Sequence, residues 1–309
     1  MAWLFTDPRF ERHETGAHPE APARTRAIRE RLAQSGHAAR CRDGETRRAS
    51  EEDLRRVHAT QMVSRVRKLA EAGGGRVDAD TVVSAESFDI ALLAAGTAMA
   101  AVDAVVTSDD HRAFCAVRPP GHHATKDQAM GFCLANNVAV AAAHARATHD
   151  IERVLIVDWD VHHGNGTQDI FYEDRHVGFF SAHRYPFYPG TGSAEERGRG
   201  DGTGTTWNLP VEMGTSREQY RTRFEKMLTE AADTMQPQLV ILSAGFDAHR
   251  LDPIGSLGLE TEDFGTLSEM VIGVSEQYAD GRLVSVLEGG YHIEALADSV
   301  QIHVERLLA

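Results

Sequence analysis

Val154-Leu155-Ile156-Val157-Asp158-Trp159-Asp160-Val161-His162-His163-Gly164-Asn165-Gly166-Thr167 decides the reading of this chain. The stretch opens as a short apolar, β-branched run, the pattern of a strand buried on both faces of a parallel sheet. It closes in carboxylates, imidazoles and glycines. In an open α/β sheet, chemistry collects at the carboxyl ends of the strands. If the chain stays extended past Asp158, Asp160 and His162 lie two residues apart and point the same way, so they can share one cation. His163 then alternates away. A strand end capped by ordinary polar turn residues would look similar, so the reading requires further ligands from elsewhere in the chain.

The rest of the chain fits that frame. Its 309 residues, 42% hydrophobic and 25% charged, suit one large α/β domain, and no linker divides residues 1–309. The formal charge of −14 disfavours nucleic acid and favours cationic ligands, although a generic acidic surface reads the same way. Cys41, Cys115 and Cys133 form no CxxC pair, so a reducing, cytoplasmic setting is expected. No apolar run is read as membrane-spanning, and the first residues lack the basic start of a signal peptide. No membrane partner is expected, and the oligomeric state is not readable.

Strands are expected at 3–6, 113–117, 154–158, 177–181, 205–209, 239–243 and 283–287. Helices are expected at 21–36, from the Ser50/Asp53 capping box, at 61–70, 88–107, 138–147, 216–235, 262–279 and 293–308. Gly73-Gly74-Gly75 reads as a flexible loop. The alternation of strand and helix implies a parallel sheet with helices on both faces.

Four strand ends carry chemistry: His122-His123, Asp160/His162, Asp252 and Tyr291. Asp160, His162 and Asp252 supply three ligands and leave positions open for water and substrate, the pattern of a catalytic zinc. Such a metal would polarise a carbonyl and acidify water. His122 and His123 are the available proton carriers, with Asp158 and Asn165 to orient them. Tyr291, beside two glycines, can donate to a developing oxyanion. Taken singly, Tyr291 reads equally as a packing residue and His123 as a core histidine; together they describe metal-assisted amide hydrolysis.

The motifs Arg118-Pro119-Pro120-Gly121-His122-His123-Ala124, Gly131-Phe132-Cys133, Asp158 to Thr167, Ser243-Ala244-Gly245-Phe246-Asp247-Ala248-His249 and Leu287-Glu288-Gly289-Gly290-Tyr291, with His18-Pro19-Glu20 and Arg24, resemble those of zinc-dependent histone deacetylases. The likeness is greatest to the class II branch and its bacterial amidohydrolase relatives. The resemblance implies an arginase-like, three-layer αβα fold with an eight-stranded, mainly parallel sheet. It implies one catalytic Zn2+ on Asp160, His162 and Asp252, acid/base roles for His122 and His123 supported by Asp158 and Asn165, and a transition-state role for Tyr291. It also implies one or two structural K+ sites. The first would use Asp158 and Ser181 with carbonyls of Asp160, His162 and Ala182; the second would use carbonyls near Phe171, Asp174 and Val177. Phe132 and Tyr188 would wall an acyl tunnel bordered by Gly131.

The expected substrate is therefore an acylated lysine or a small acylated amine. An acetylpolyamine deacetylase is the nearest alternative. Ile254, where relatives that prefer acetylpolyamines can carry an acidic gatekeeper, argues against it. Glu86 falls where a residue that hydrogen-bonds substrate is expected, and equally where a helix-start carboxylate would sit. A non-catalytic acyl-ligand-binding protein and a two-metal arginase-like hydrolase are further alternatives. The same ligand set would also accept iron(II) or cobalt.

Overall fold

The computed structural model describes residues 1–309. Its strands are β1 (Ala2–Phe5), β2 (Arg42–Asp43), β3 (Gly74–Arg76), β4 (Val82–Ser84), β5 (Arg112–Cys115), β6 (Val154–Asp158), β7 (Val177–Arg184), β8 (Thr206–Val211), β9 (Leu239–Ala244) and β10 (Leu283–Leu287). Its α-helices are α1 (Ala23–Gln34), α2 (Glu51–Arg55), α3 (Thr60–Glu71), α4 (Ser87–Thr107), α5 (Asn137–Thr148), α6 (Asn165–Phe171), α7 (Arg217–Met235), α8 (Thr261–Tyr278) and α9 (Ile293–Leu307).

Eight strands form one sheet in the order β2-β1-β5-β10-β9-β6-β7-β8, and every pairing in it is parallel. The apolar run of β6 is continuous because both of its faces are covered. Val154 and Ile156 join the core built with α3, α4 and α5, whereas Leu155 and Val157 join the core built with α1, α7, α8 and α9. Strand β9 divides in the same way, Leu239 and Ile241 to one side and Val240 and Leu242 to the other. One strand therefore feeds two hydrophobic cores, which gives three layers.

The strand order explains the convergence of distant motifs. Strands β5, β10, β9 and β6 are consecutive neighbours in the sheet. All four run the same way, so the segments that follow them leave from one rim, and these segments carry His122-His123, Tyr291, Asp247 with Asp252, and Asp160 with His162.

Several sequence expectations change. Gly74–Arg76 is not a loop: it pairs antiparallel with Val82–Ser84, Gly74 opposite Ser84. Gly74 has φ +108°, and a Cβ there would stand 2.5 Å from the Val83 carbonyl, so the hairpin uses the glycine for close backbone approach. Strand β2 has two residues, too short to show periodicity, and is placed only by pairing with β1. Strand β7 runs three residues beyond Ser181. Helix α4 is long and apolar enough to cross a membrane, contrary to the expectation of no such run, but 72% of its most apolar window is buried inside the protein. The Ser50/Asp53 capping box forms as expected at the start of α2.

Candidate active site

Strand β6 ends at Asp158, and residues 159–163 leave the sheet in a turn. Asp160 and His162 therefore do not meet by strand alternation. They meet because Asp160 Oδ1 accepts from His162 N at 2.9 Å, an Asx-type turn that folds the imidazole back onto its own carboxylate. His162 Nδ1 then lies 3.0 Å from Asp160 Oδ1 and 3.1 Å from Asp247 Oδ2. His163 is excluded from this cluster as expected: it bonds Thr191 and Gln168.

At this rim the residues whose ligand atoms lie within 4.8 Å of one another are Asp160, His162 and Asp247, and the expected third ligand, Asp252, is not among them. Asp252 is turned toward backbone donors. Its Oδ1 accepts from Ile254 N and Gly255 N, both at 2.9 Å, and its Oδ2 from Tyr291 N at 2.7 Å. Sequence reasoning quoted Asp247 without a role. Its signal was its place at the end of β9, five residues before Asp252.

This centre carries a surplus of buried negative charge. Asp158, Asp160 and Asp247 are all fully buried, and Asp247 Oδ2 has no hydrogen-bond partner. Burial and the neighbouring Asp160 push Asp247 up to about 7. Burial opposes a charge on His162, yet its contacts with Asp160 and Asp247 outweigh this and raise it to about 10. Buried carboxylates of this kind need a cation partner, and the mixed carboxylate–imidazole donor set suits zinc. The residues present thus fit a divalent metal, which would displace the proton from the histidine.

The two histidines of the β5 loop are held differently. His122 Nδ1 sits 2.9 Å from Asp158 Oδ2, and its Nε2 faces Asp160 Oδ1 at 3.8 Å. Burial lowers its basicity, but the charges of Asp158 and Asp160 prevail and raise it well above the usual imidazole value. His123 Nδ1 meets Asn165 Oδ1 at 2.7 Å, a neutral acceptor. Burial, then the neighbouring His122 and His162, drive His123 well below the usual value. The pair is thus set apart: His122 faces two carboxylates, whereas the Nδ1 proton of His123 is fixed on the Asn165 oxygen, leaving Nε2 as acceptor.

Phe132 and Tyr188, the two expected tunnel aromatics, each touch a residue of the site. The Phe132 and Tyr291 rings meet edge-on at 5.8 Å, and Tyr188 meets His123 edge-on at 5.1 Å. Phe187, to which the sequence assigns no role, stacks on His162 at 5.2 Å. Gly131 has φ +55°, and a Cβ there would stand 2.5 Å from the His123 ring. Burial pushes the Tyr291 hydroxyl well above its usual value, which keeps it protonated as a donor. Glu86 is an exposed residue at the N-cap of α4, 3.4 Å from Arg12 Nη1, so its helix-start reading holds. The carboxylates whose charge reaches Tyr188 are Asp80 and Asp78. The Asp80 carbonyl is also 3.0 Å from His18 Nε2, and the His18 ring abuts Phe132 at 4.6 Å. Both acids lie in the turn that joins β3 to β4.

Of the expected potassium ligands, Asp158 and Ser181 are direct cross-strand partners on β6 and β7, with Ala182 next along. Phe171, Asp174 and Val177 lie in the turn from α6 to β7, where Asp174 N donates to the Phe171 carbonyl at 3.0 Å.

Beneath the site lies a buried ionic knot. Glu20, Arg24 and Arg118 are all fully buried. Glu20 accepts from Arg24 at 3.1 Å and from Arg118 at 2.5 and 2.8 Å. Arg24 donates to the carbonyls of Glu288 and, at 2.7 Å, Gly290, and its guanidinium lies 5.0 Å from the Tyr291 ring centre. Arg118 opens the loop that carries the two histidines. The knot therefore joins that loop to the one bearing Tyr291.

A histone deacetylase domain profile matches residues 18–307. Over 275 residues the chain is 41% identical to the histone deacetylase-like amidohydrolase of Pseudomonas aeruginosa, which covers 89% of this chain and 72% of the relative. It is 42% identical over 302 residues to the human protein named polyamine deacetylase HDAC10, covering 94% of this chain and 44% of that one. The crystal structure of the HDA15 HD domain superposes with a TM-score of 0.94 at 37% identity, over 99% of this chain and 88% of that one. With a match that spans nearly the whole chain, this protein belongs to the histone deacetylase family and is an enzyme that hydrolyses amides.

Proposed function

We propose that this enzyme is a zinc-dependent deacylase that cleaves the amide of acetyl-lysine-like substrates. The observation that carries the proposal is the setting of His122 Nδ1 against the Asp158 carboxylate and of His123 Nδ1 against the Asn165 amide oxygen, beside a carboxylate–histidine cluster. Zinc held there supplies polarisation of the acyl carbonyl and acidification of water. His123, neutral and with Nε2 free to accept, takes the proton of the attacking water. His122, oriented by Asp158, stabilises the negative charge that develops, and the proton that His123 took from water passes to the leaving nitrogen as the C–N bond breaks. The Tyr291 hydroxyl donates to the oxyanion.

Asp160 and His162 hold the metal, and Asp252 is the third ligand. The link to the Tyr291 segment supports Asp252 over Asp247: Asp252 Oδ2 accepts from Tyr291 N at 2.7 Å, and its 7% exposure is close to the 6% of His162. Each Asp252 oxygen that accepts an N–H keeps further lone-pair capacity for a metal. Asp247 Oδ1 accepts from Val161 N at 2.9 Å, so Asp247 holds the turn that carries His162. Asp252→Asn is expected to lose zinc in elemental analysis. Asp247→Asn is expected to keep one zinc per chain with weakened affinity; the reverse result would exchange the two roles.

Potassium sites are proposed on Asp158, Ser181 and Ala182 and in the turn of Phe171, Asp174 and Val177. The substrate amine enters between Phe132 and Tyr188, with Asp78 and Asp80 close to Tyr188. Those acids, and the name of the human relative, favour a second reading, an acetylpolyamine deacetylase; the uncharged Ile254 opposes it. The deciding assay uses zinc-loaded enzyme on acetyl-lysine peptides beside acetylspermidine and acetylputrescine, with acyl length varied. Higher kcat/KM on lysine substrates is expected. A large polyamine preference would install the second reading, and no turnover on any acyl amine would overturn both.

A further inference from the structure

We propose that Glu288 is a positioning residue whose buried carboxylate fixes the loop carrying His122 and His123 by holding two of its backbone N–H groups. This rests on the deacylase reading above. Glu288 follows the last residue of β10, the strand between β5 and β9, so its side chain reaches the segments that leave both neighbours. Its Oε2 accepts from Gly121 N at 2.6 Å and from His122 N at 3.1 Å. Its Oε1 accepts from Ser243 Oγ, on β9, at 3.2 Å.

The position of Glu288 is fixed from its other side. Arg24 donates to its carbonyl and to that of Gly290, and Gly289 N donates to Asp160 Oδ2 at 2.8 Å. One residue thus connects the histidine loop to the segment that carries Tyr291 and touches Asp160. The carboxylate is fully buried, and burial pushes it up to about 7. A carboxyl kept at this desolvated place has work that an apolar side chain could not do. The two N–H groups it holds are the main-chain groups at and just before His122, so releasing them frees the imidazole to drift. A drift of about 1 Å in a catalytic group is sufficient to lower turnover by ~10²-fold.

Two substitutions separate holding from charge. Glu288→Gln keeps a carbonyl oxygen for the two N–H groups and turns its NH2 toward Ser243 Oγ, which can accept. Glu288→Met fills a similar volume with no comparable acceptor. Zinc-loaded Glu288→Met is expected to lose ~10²-fold in kcat on an acetyl-lysine peptide, with KM and zinc content near wild type. Glu288→Gln is expected to recover most of that loss. A second readout does not depend on turnover: the Gly121 and His122 amide proton resonances should lie downfield in wild type and Glu288→Gln, and move upfield in Glu288→Met. A Met variant with wild-type kcat and unmoved amide resonances would overturn the proposal, as would a Gln variant as impaired as Met. If Glu288→Met does not fold, Glu288→Gln decides: near-wild-type kcat supports the hold, and a loss as large as that expected for Met refutes it. If wild type turns over no acyl amine, the deacylase reading fails separately, and the amide resonances still decide whether Glu288 holds the loop.

Discussion

Glu20→Gln removes one charge from the knot beneath the active site and leaves its shape. Glu20, Arg24 and Arg118 are fully buried, so the substitution strands two guanidinium groups in the interior with no carboxylate between them. Burial opposes the Glu20 charge, but Arg118 first, then His13 and Arg24, more than offset it and bring the carboxyl down from 4.5 to about 2. That shift corresponds to about 3 kcal/mol in favour of the ionised form. Breaking a buried ion pair by removing one partner typically costs about 3–5 kcal/mol, so the two routes agree. The expected loss in unfolding free energy at neutral pH is therefore about 3–5 kcal/mol. Urea unfolding followed by circular dichroism measures it. The pH dependence has a defined sign. A carboxyl with a depressed folded pKa gives its full stabilisation above the unfolded value near 4.5, and loses it as pH falls toward about 2. The gap between wild type and variant should narrow over that window. A neutral-pH loss below about 1 kcal/mol, or a gap that stays constant on acidification, would refute the account of the knot.

Tyr291→Phe is expected to lower kcat by ~10²–10³-fold with full zinc content, since only the donor to the oxyanion is lost; near-normal turnover would remove that role. Gly131→Ala is expected to reduce kcat and cost about 1–2 kcal/mol in stability, because φ +55° disfavours a Cβ and the added methyl meets the His123 ring; steady-state kinetics with thermal melting checks this. His58 Nε2 accepts from Asn136 N while Nδ1 meets the Thr125 carbonyl, and burial lowers its pKa from 6.5 to about 4. The unfolded chain thus takes up a proton that the folded protein refuses. The His58 contribution is complete above pH 6.5, declines by about 3 kcal/mol as pH falls to about 4, and is level below that. In urea titrations from pH 7 to pH 4, His58→Gln should show a shallower decline than wild type, and an unchanged slope would contradict the assignment.

The sequence by itself determined the layers and the parts list. The β6 run is apolar at every position because two cores share it, and strand–helix alternation then leaves a parallel sheet as the economical topology. The pairings of His122 with Asp158 and of His123 with Asn165 were legible because each is a polar residue at a strand end or in a tight loop, where burial needs a reason. Local pattern could not reach what depends on strand order. That β5, β10, β9 and β6 lie side by side is a property of the whole sheet, and only that order brings Glu288 to Gly121 and Asp247 to His162. The pairing of Asp160 with His162 was anticipated, but by the wrong geometry: the strand had already ended, and a side-chain-to-backbone turn brings them together. Strand β2 and the Gly74 hairpin escaped for a related reason, since two or three residues carry no period and exist as strands only through their partners. The different settings of His122 and His123 were likewise decided by tertiary structure. Two adjacent imidazoles are chemically identical in the sequence, and they differ only because the fold sets one against Asp158 and the other against the neutral amide of Asn165.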